Sequence, residues 1–174
     1  MGGTKLGGRR VSREEGLEVA GEVFRELKGT CERMEACGSL RRGKPDVGDV
    51  DLILLPWRST LPGANPEAGL IALEAVLHRM FGTQKNGKPK RSGLVRGVQV
   101  DVLITAPEGW GACLMHWTGS AEWNVRQRGV AMKLGYKLNE KGLWEGETRI
   151  AGATEEEVYK ALGEKWTEPK DREV

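Results

Sequence analysis

Residues 49–56 read Asp-Val-Asp-Leu-Ile-Leu-Leu-Pro: two carboxylates one residue apart, at the head of an apolar run closed by a proline. A short apolar run bounded by turn formers reads as a buried strand. Side chains two apart on a strand project to the same face. Asp49 and Asp51 therefore stand together beside a hydrophobic core. A second apolar run, Val98 to Ile104 (VQVDVLI), is interrupted by Asp101. If the two strands are neighbours, three carboxylates converge. Without a cation they would repel, and at least one would be forced to keep its proton. A hard divalent ion removes the conflict, because magnesium takes oxygen ligands from a few carboxylates and from substrate phosphates.

An Asp-x-Asp pair ahead of a strand is common on its own. The residues before it narrow the reading. Gly38-Ser39 is a small-residue turn, read as opening a short helix, and offers N–H groups and a hydroxyl to phosphate oxygens. Arg42 adds a bidentate phosphate donor. Turn, arginine and acid pair fall within fourteen residues. Two ions held a few ångströms apart on such a site suit in-line phosphoryl transfer.

The chain has 174 residues, enough for one domain or one with a small appendage. Charged residues are 30% and mean hydropathy is −0.47, the balance of a water-soluble globular chain. No apolar run is long enough for a membrane helix, and the N-terminus lacks a secretory signal's apolar stretch. The three cysteines, Cys31, Cys37 and Cys113, have no CxxC spacing and are expected to be reduced thiols inside a cell. That leaves cytoplasm, nucleoid, virus and organelle open. With His78 and His116 the only histidines, the composition argues against a His-rich zinc site. Net charge is +2, so a nucleic-acid partner is not demanded by bulk charge. Basic residues nevertheless cluster, at Arg9 to Arg13, at Arg41 to Lys44, and from Lys85 to Arg96. Acid concentrates at Glu155 to Glu157.

Residues 1–8 (MGGTKLGG) are glycine-rich and expected to be flexible. Ser12 with Glu15 is a capping box for a helix whose apolar spacing runs to Leu27. Met34 to Cys37 and Val50 to Leu55 read as strands. Pro66 suits the first turn of a helix to about Phe81. Residues 82–93 read as a turn between strands, followed by a strand pair at 94–95 and 98–104. Gly109 to Trp117 reads as helical, and Ser120 caps a helix from Ala121 to Leu134 with a basic face. Short strands near 136–138, 143–144 and 149–150 precede a helix capped by Thr154.

The segment "GSLRRGKPDVGDVD" together with "VQVDVLI" resembles nucleotidyltransferases of the DNA polymerase beta type, and the double arginine with "GDVD" resembles family X DNA polymerases in particular. "RRVSREE" resembles the segment that opens the palm of that family. "HWTGS" resembles its Tyr-Phe-Thr-Gly-Ser motif, and "WNVRQR" its helix on the nascent base pair. "GYKLNEKGLW" and "EPKDRE" resemble its C-terminal sheet and tail. The likeness runs from about residue 9 to the end.

The resemblance implies an α+β fold: a palm with a mixed or antiparallel sheet flanked by helices over residues 9–117, then a small α+β C-terminal subdomain over 118–174. It implies a DNA-directed DNA polymerase filling short gaps in repair, with two magnesium ions per site and manganese as a substitute. Asp49 and Asp51 would bind both ions; Asp101 would bind the one beside the primer 3′-hydroxyl and accept its proton. Gly38, Ser39, Arg42, Gly48 and Arg10 would hold the triphosphate. His116, Trp117 and Gly119 would lie along the incoming sugar, and Asn124 would face the incoming base. Arg128 would touch the template strand. Lys85, Lys88, Lys90, Arg91, Arg126 and Lys133 are the basic residues expected to grip DNA through phosphates. The partners would be gapped or primer–template DNA and deoxynucleoside triphosphates, the working form a monomer, and no membrane is involved.

The sequence departs from the family pattern in places. His116-Trp117 replaces the usual Tyr-Phe, Ala121 the aspartate after "TGS", and Gln99 the arginine two before the third aspartate. Nothing before residue 9 resembles the lyase domain, so no lyase activity is expected, and low fidelity is. Two rival readings are a template-independent terminal nucleotidyltransferase, kept alive by Trp117, and a catalytically silent nucleic-acid-binding module.

Overall fold

The computed structural model describes residues 6–82 and 89–173. Lys85 and Lys88 lie outside them, as does most of the stretch expected to be flexible. By their contacts the residues form two units: one up to Leu40 and from Lys44 to Ile104, the other Arg41–Gly43 with the residues from Thr105 on.

The first unit opens with a two-residue strand, β1 (Val11–Ser12), leading into helix α1 (Arg13–Glu26). Ser12 caps α1 as its sequence suggests: its Oγ accepts the Glu15 amide at 3.2 Å. Strand β2 (Cys31–Ala36) and the single-turn helix α2 (Gly38–Arg41) follow. Then come β3 (Asp46–Val47), paired with β1, and the long strand β4 (Asp49–Pro56). Helix α3 (Ala68–Phe81) precedes β5 (Lys90–Val95) and β6 (Val98–Ile104).

Strands β2, β4, β6 and β5 form one sheet in that order, and β4 and β6 are parallel while both outer pairs are antiparallel. The two faces of the sheet differ in chemistry because the side-chain period is two. Val50, Leu52, Leu54, Val98, Val100 and Val102 share a buried core with Val19, Val23 and Leu27 and with Leu73 and Leu77 of α3. The opposite face begins with Asp49, Asp51, Gln99 and Asp101.

Strand β5 starts at Lys90, four residues earlier than the apolar pattern predicts. Its core-facing positions are disguised. Arg91 is buried and ion-paired to Glu74 of α3 at 2.6 Å. Gly93 leaves room for Phe81, whose ring would lie 2.1 Å from any Cβ there. Leu6 and Gly8, part of the stretch expected to be flexible, are held: the Leu6 amide donates to Gln99 Oε1 at 2.9 Å.

The second unit contains α4 (Trp110–Thr118), α5 (Ala121–Lys133), the antiparallel strands β7 (Lys137–Asn139), β8 (Gly142–Glu145) and β9 (Thr148–Ala151), and α6 (Glu155–Ala161). Ser120 and Thr154 cap α5 and α6 through their hydroxyls, as their positions predict. Ala112, Met115, Trp123, Ala131, Leu143, Val158, Tyr159 and Leu162 make its core. The sequence reading placed the division at 117/118, whereas α4 packs with the second unit. The first N–H groups of a helix need partners outside it. Those of Gly111 and Ala112 find the carbonyls of Ala153 and Gly152. Among the described residues no helix is long and apolar enough to cross a membrane.

Candidate active site

The parallel register sets Asp51 of β4 directly beside Asp101 of β6, with Asp49 beside Gln99. One carboxylate oxygen from each of Asp49, Asp51 and Asp101 lies within 4.8 Å of the others. Asp101 is buried; the other two are half-buried. The convergence that the sequence made conditional on neighbouring strands is thus met. All three side chains offer hard oxygen donors, a set that suits a divalent ion such as magnesium or manganese.

Asp101 is held by two neighbouring side chains. Gln99 Nε2 donates to both its oxygens at 3.2 Å, and Lys90 Nζ donates to Oδ2 at 2.8 Å. Lys90 and Gln99 therefore belong to the site in roles the sequence did not suggest. The alternation of β5 and β6 was the available signal, since it brings Lys90, Ser92 and Asp101 to one face.

The glycine–serine turn is built into the same structure. Gly38 adopts a left-handed φ of +56°, and a Cβ there would fall 2.1 Å from Asp51 Oδ2. The Cys37 amide donates to the Asp51 carbonyl at 2.7 Å. Only glycine satisfies both the backbone conformation and the approach of that carboxylate. Ser39 Oγ is buried and has no hydrogen-bond partner among the described residues. Arg10 Nη1 lies 3.1 Å from where a Cβ of Gly48 would be, so two residues expected at the triphosphate meet. Arg10 Nε also donates to Asp46 at 2.8 Å.

In the second unit Arg42 donates through Nε to Glu173 at 2.9 Å and through Nη1 to the Thr118 carbonyl at 2.7 Å. Glu155 is buried between Arg41 and Arg172, and Trp166 Nε1 also donates to it. Burial pushes the Glu155 carboxyl up, but the hydrogen bonds and charges of Arg172 and Arg41 outweigh it and hold the group below its ordinary range. In sequence Glu155 is one of three consecutive acids, and nothing there marks it as buried.

His116, Asn124 and Arg128 come together around a small pocket that Met115, Gln127 and Leu138 also line. Asn124 Nδ2 donates to the His116 carbonyl at 2.7 Å. Burial pushes the His116 imidazole below its ordinary value. Trp117 is half-buried, and Gly119 packs so closely that a Cβ would meet Trp123 at 2.8 Å. Arg126 pairs with Glu164 and lies 4.9 Å over the Trp123 ring, while Arg128 and Lys133 are exposed. One expected DNA contact is corrected. Arg91 is buried against Glu74 and presents no charge to a phosphate.

Comparison with known proteins matches residues 10–85 to the DNA polymerase beta palm and residues 113–173 to the DNA polymerase beta thumb. The chain belongs to family X of the DNA polymerases. It is a nucleotidyltransferase, with a palm followed by a small C-terminal subdomain. The repair DNA polymerase X of African swine fever virus (isolate Tick/Malawi/Lil 20-1/1983) is 29% identical over 163 residues, covering 90% of this chain and 88% of the viral protein. DNA polymerase lambda of Rattus norvegicus is 27% identical over 166 residues, a match that covers 79% of this chain but only 28% of that longer protein. Among solved structures, Leishmania infantum polymerase beta in a ternary P/T complex shares the fold with a TM-score of 0.78 at 22% identity, over 95% of this chain and 77% of that one.

Proposed function

We propose that this family X chain is a template-directed polymerase that adds deoxynucleotides to a primer 3′-hydroxyl and fills short gaps during DNA repair. The observation that carries this reading is the Asp49–Asp51–Asp101 cluster, with the Gly38 turn packed against Asp51. The cluster fits divalent ions: its donors are all carboxylate oxygens, and the Lys90 ammonium already lies against Asp101 where a cation is favoured. Asp49 and Asp51 would hold two ions, and Asp101 the one nearer the primer end. Bound there, magnesium or manganese would activate the hydroxyl and neutralise the leaving pyrophosphate.

The protein's own groups supply position and proton transfer. An Asp101 carboxylate oxygen takes the proton of the primer hydroxyl as the O3′–Pα bond forms and the bond to pyrophosphate breaks. Ser39, the backbone at Gly48, Arg42 and Arg10 orient the triphosphate, which is most of what phosphoryl transfer requires. The Ser39 hydroxyl, buried and without a partner among the described residues, supports that role, since such a polar group is costly. From the C-terminal subdomain, His116, Trp117 and Gly119 line the incoming sugar, Asn124 reads the edge of the base, and Arg128 meets the template. Lys90, Arg126 and Lys133, with Lys85 and Lys88, add phosphate contacts, so binding is salt-sensitive and indifferent to sequence. The enzyme works as a monomer within a cell. Fidelity is low, because Ala121 and His116-Trp117 give the nascent pair fewer contacts; matched and mismatched insertion rates compared side by side test this.

The deciding experiment is extension of a one-nucleotide gapped duplex with magnesium, by the wild type and by Asp101→Ala, each with and without the template strand. Templated addition that vanishes in the variant is the expected result. Addition that persists without template would replace this reading with a terminal transferase. No addition with either metal would leave a binding module.

A further inference from the structure

We propose that Lys90 is an exchangeable counter-cation of Asp101, so that DNA binding, by drawing Lys90 away, opens Asp101 to metal. The inference rests on the DNA and metal reading above. It starts from an unequal set of partners around one carboxylate. Gln99 contributes a neutral amide, itself fixed through Oε1 by the Leu6 amide. Lys90 contributes a full positive charge, 2.8 Å from Oδ2. A neutral donor can stay when a divalent ion arrives at the same carboxylate. An ammonium cannot stay without repelling it.

The two partners also differ in freedom. The Asp101 side chain is 5% exposed and the Lys90 side chain 33%, so only the lysine has a way out. Lys90 is the first residue of β5, and a lysine carries its compact charge on a flexible four-carbon stem. Duplex DNA presents about one negative charge per 1.7 Å of its axis, a strong competitor for that ammonium. In the free protein, then, Lys90 balances Asp101 and weakens metal binding. On DNA the ammonium turns to a phosphate, and Asp101 keeps its charge for the ion. By reciprocity, metal must tighten DNA binding by the same factor.

The test is manganese binding, read from the electron paramagnetic resonance signal of the free ion, for the wild type, Lys90→Met and Lys90→Arg. Each is titrated alone and with gapped DNA ending in a 3′-dideoxynucleotide, so that no primer hydroxyl serves as a ligand. Asp101→Ala, titrated alongside, subtracts manganese held by DNA itself. Without DNA, Lys90→Met should bind manganese about fivefold more tightly than the wild type, the scale of a partly exposed ion pair. DNA should tighten the wild type and Lys90→Arg by about the same factor and Lys90→Met not at all. Equal affinities for the wild type and Lys90→Met without DNA would overturn the proposal, and so would a Lys90→Met variant that keeps the wild-type gain on DNA. A different result, wild type indistinguishable from Asp101→Ala throughout, would overturn the metal reading beneath it.

Discussion

Replacing Gly38 by alanine asks whether the turn and the Asp51 carboxylate work as one piece. Two effects add at that position. The backbone is left-handed, with φ +56°, and an alanine there costs about 1–2 kcal/mol. The new Cβ would also sit 2.1 Å from Asp51 Oδ2, where ordinary contact begins at 3.4 Å, so the oxygen must retreat by the difference. That displacement exceeds 1 Å, and one of that size in a reacting constellation costs about a hundredfold in rate. Gly29 is the matched control: its φ is +87°, and a Cβ there meets nothing among the described residues within 4 Å. Gly29→Ala should lose about 1–2 kcal/mol and Gly38→Ala at least as much, read as a fall in Tm of roughly 2–4 °C per kcal/mol. Only Gly38→Ala should lose kcat/KM, by about a hundredfold, in single-nucleotide gap filling. Gly38→Ala with activity close to that of Gly29→Ala would refute the idea that the turn positions Asp51.

The remaining expectations concern charges whose roles the structure separates. Arg91→Met should destabilise the fold by about 1–3 kcal/mol in chemical denaturation, because Glu74 loses its buried partner. It should leave the salt dependence of DNA affinity unchanged. Arg128→Ala should do the reverse, keeping stability and lowering the slope of log K against log salt by about one. Glu155→Gln should cost roughly 3 kcal/mol or more, since it strands the buried Arg172 charge. The Glu155 carboxyl is held below its ordinary range, so its stabilising contribution is complete above that range and disappears as pH falls through the lower folded value. Acid unfolding of the wild type should therefore steepen in that window, and Glu155→Gln should remove the excess steepness.

How far the sequence could carry the reading depends on the kind of signal involved. The acid cluster was legible because strand periodicity alone puts Asp49 and Asp51 on one face, and an interrupted apolar run marks Asp101. Only the pairing of β4 with β6 remained to be seen. Helix starts at Ser12, Ser120 and Thr154 were legible because capping is local chemistry. Long-range charge pairing was not. A basic residue carries no mark of its partner, so Arg91, which meets Glu74 in the interior, looked the same as Arg128 on the surface. Glu155 was hidden in a run of acids, and Lys90 in a run of bases. The start of β5 was missed because an ion-paired arginine and a glycine fill the positions where apolar residues signal a buried face.

The most direct test of the central claim is single-turnover nucleotide insertion by Asp101→Asn, which keeps the shape of the side chain and removes its charge. Nucleotide and DNA dissociation constants are measured on the same samples. We expect the insertion rate to fall by about a thousandfold or more, as for loss of a key charge-stabilising group, with both dissociation constants nearly unchanged. An insertion rate within tenfold of the wild type would contradict the assignment of Asp101 to the chemical step, and with it the carboxylate cluster as the active centre.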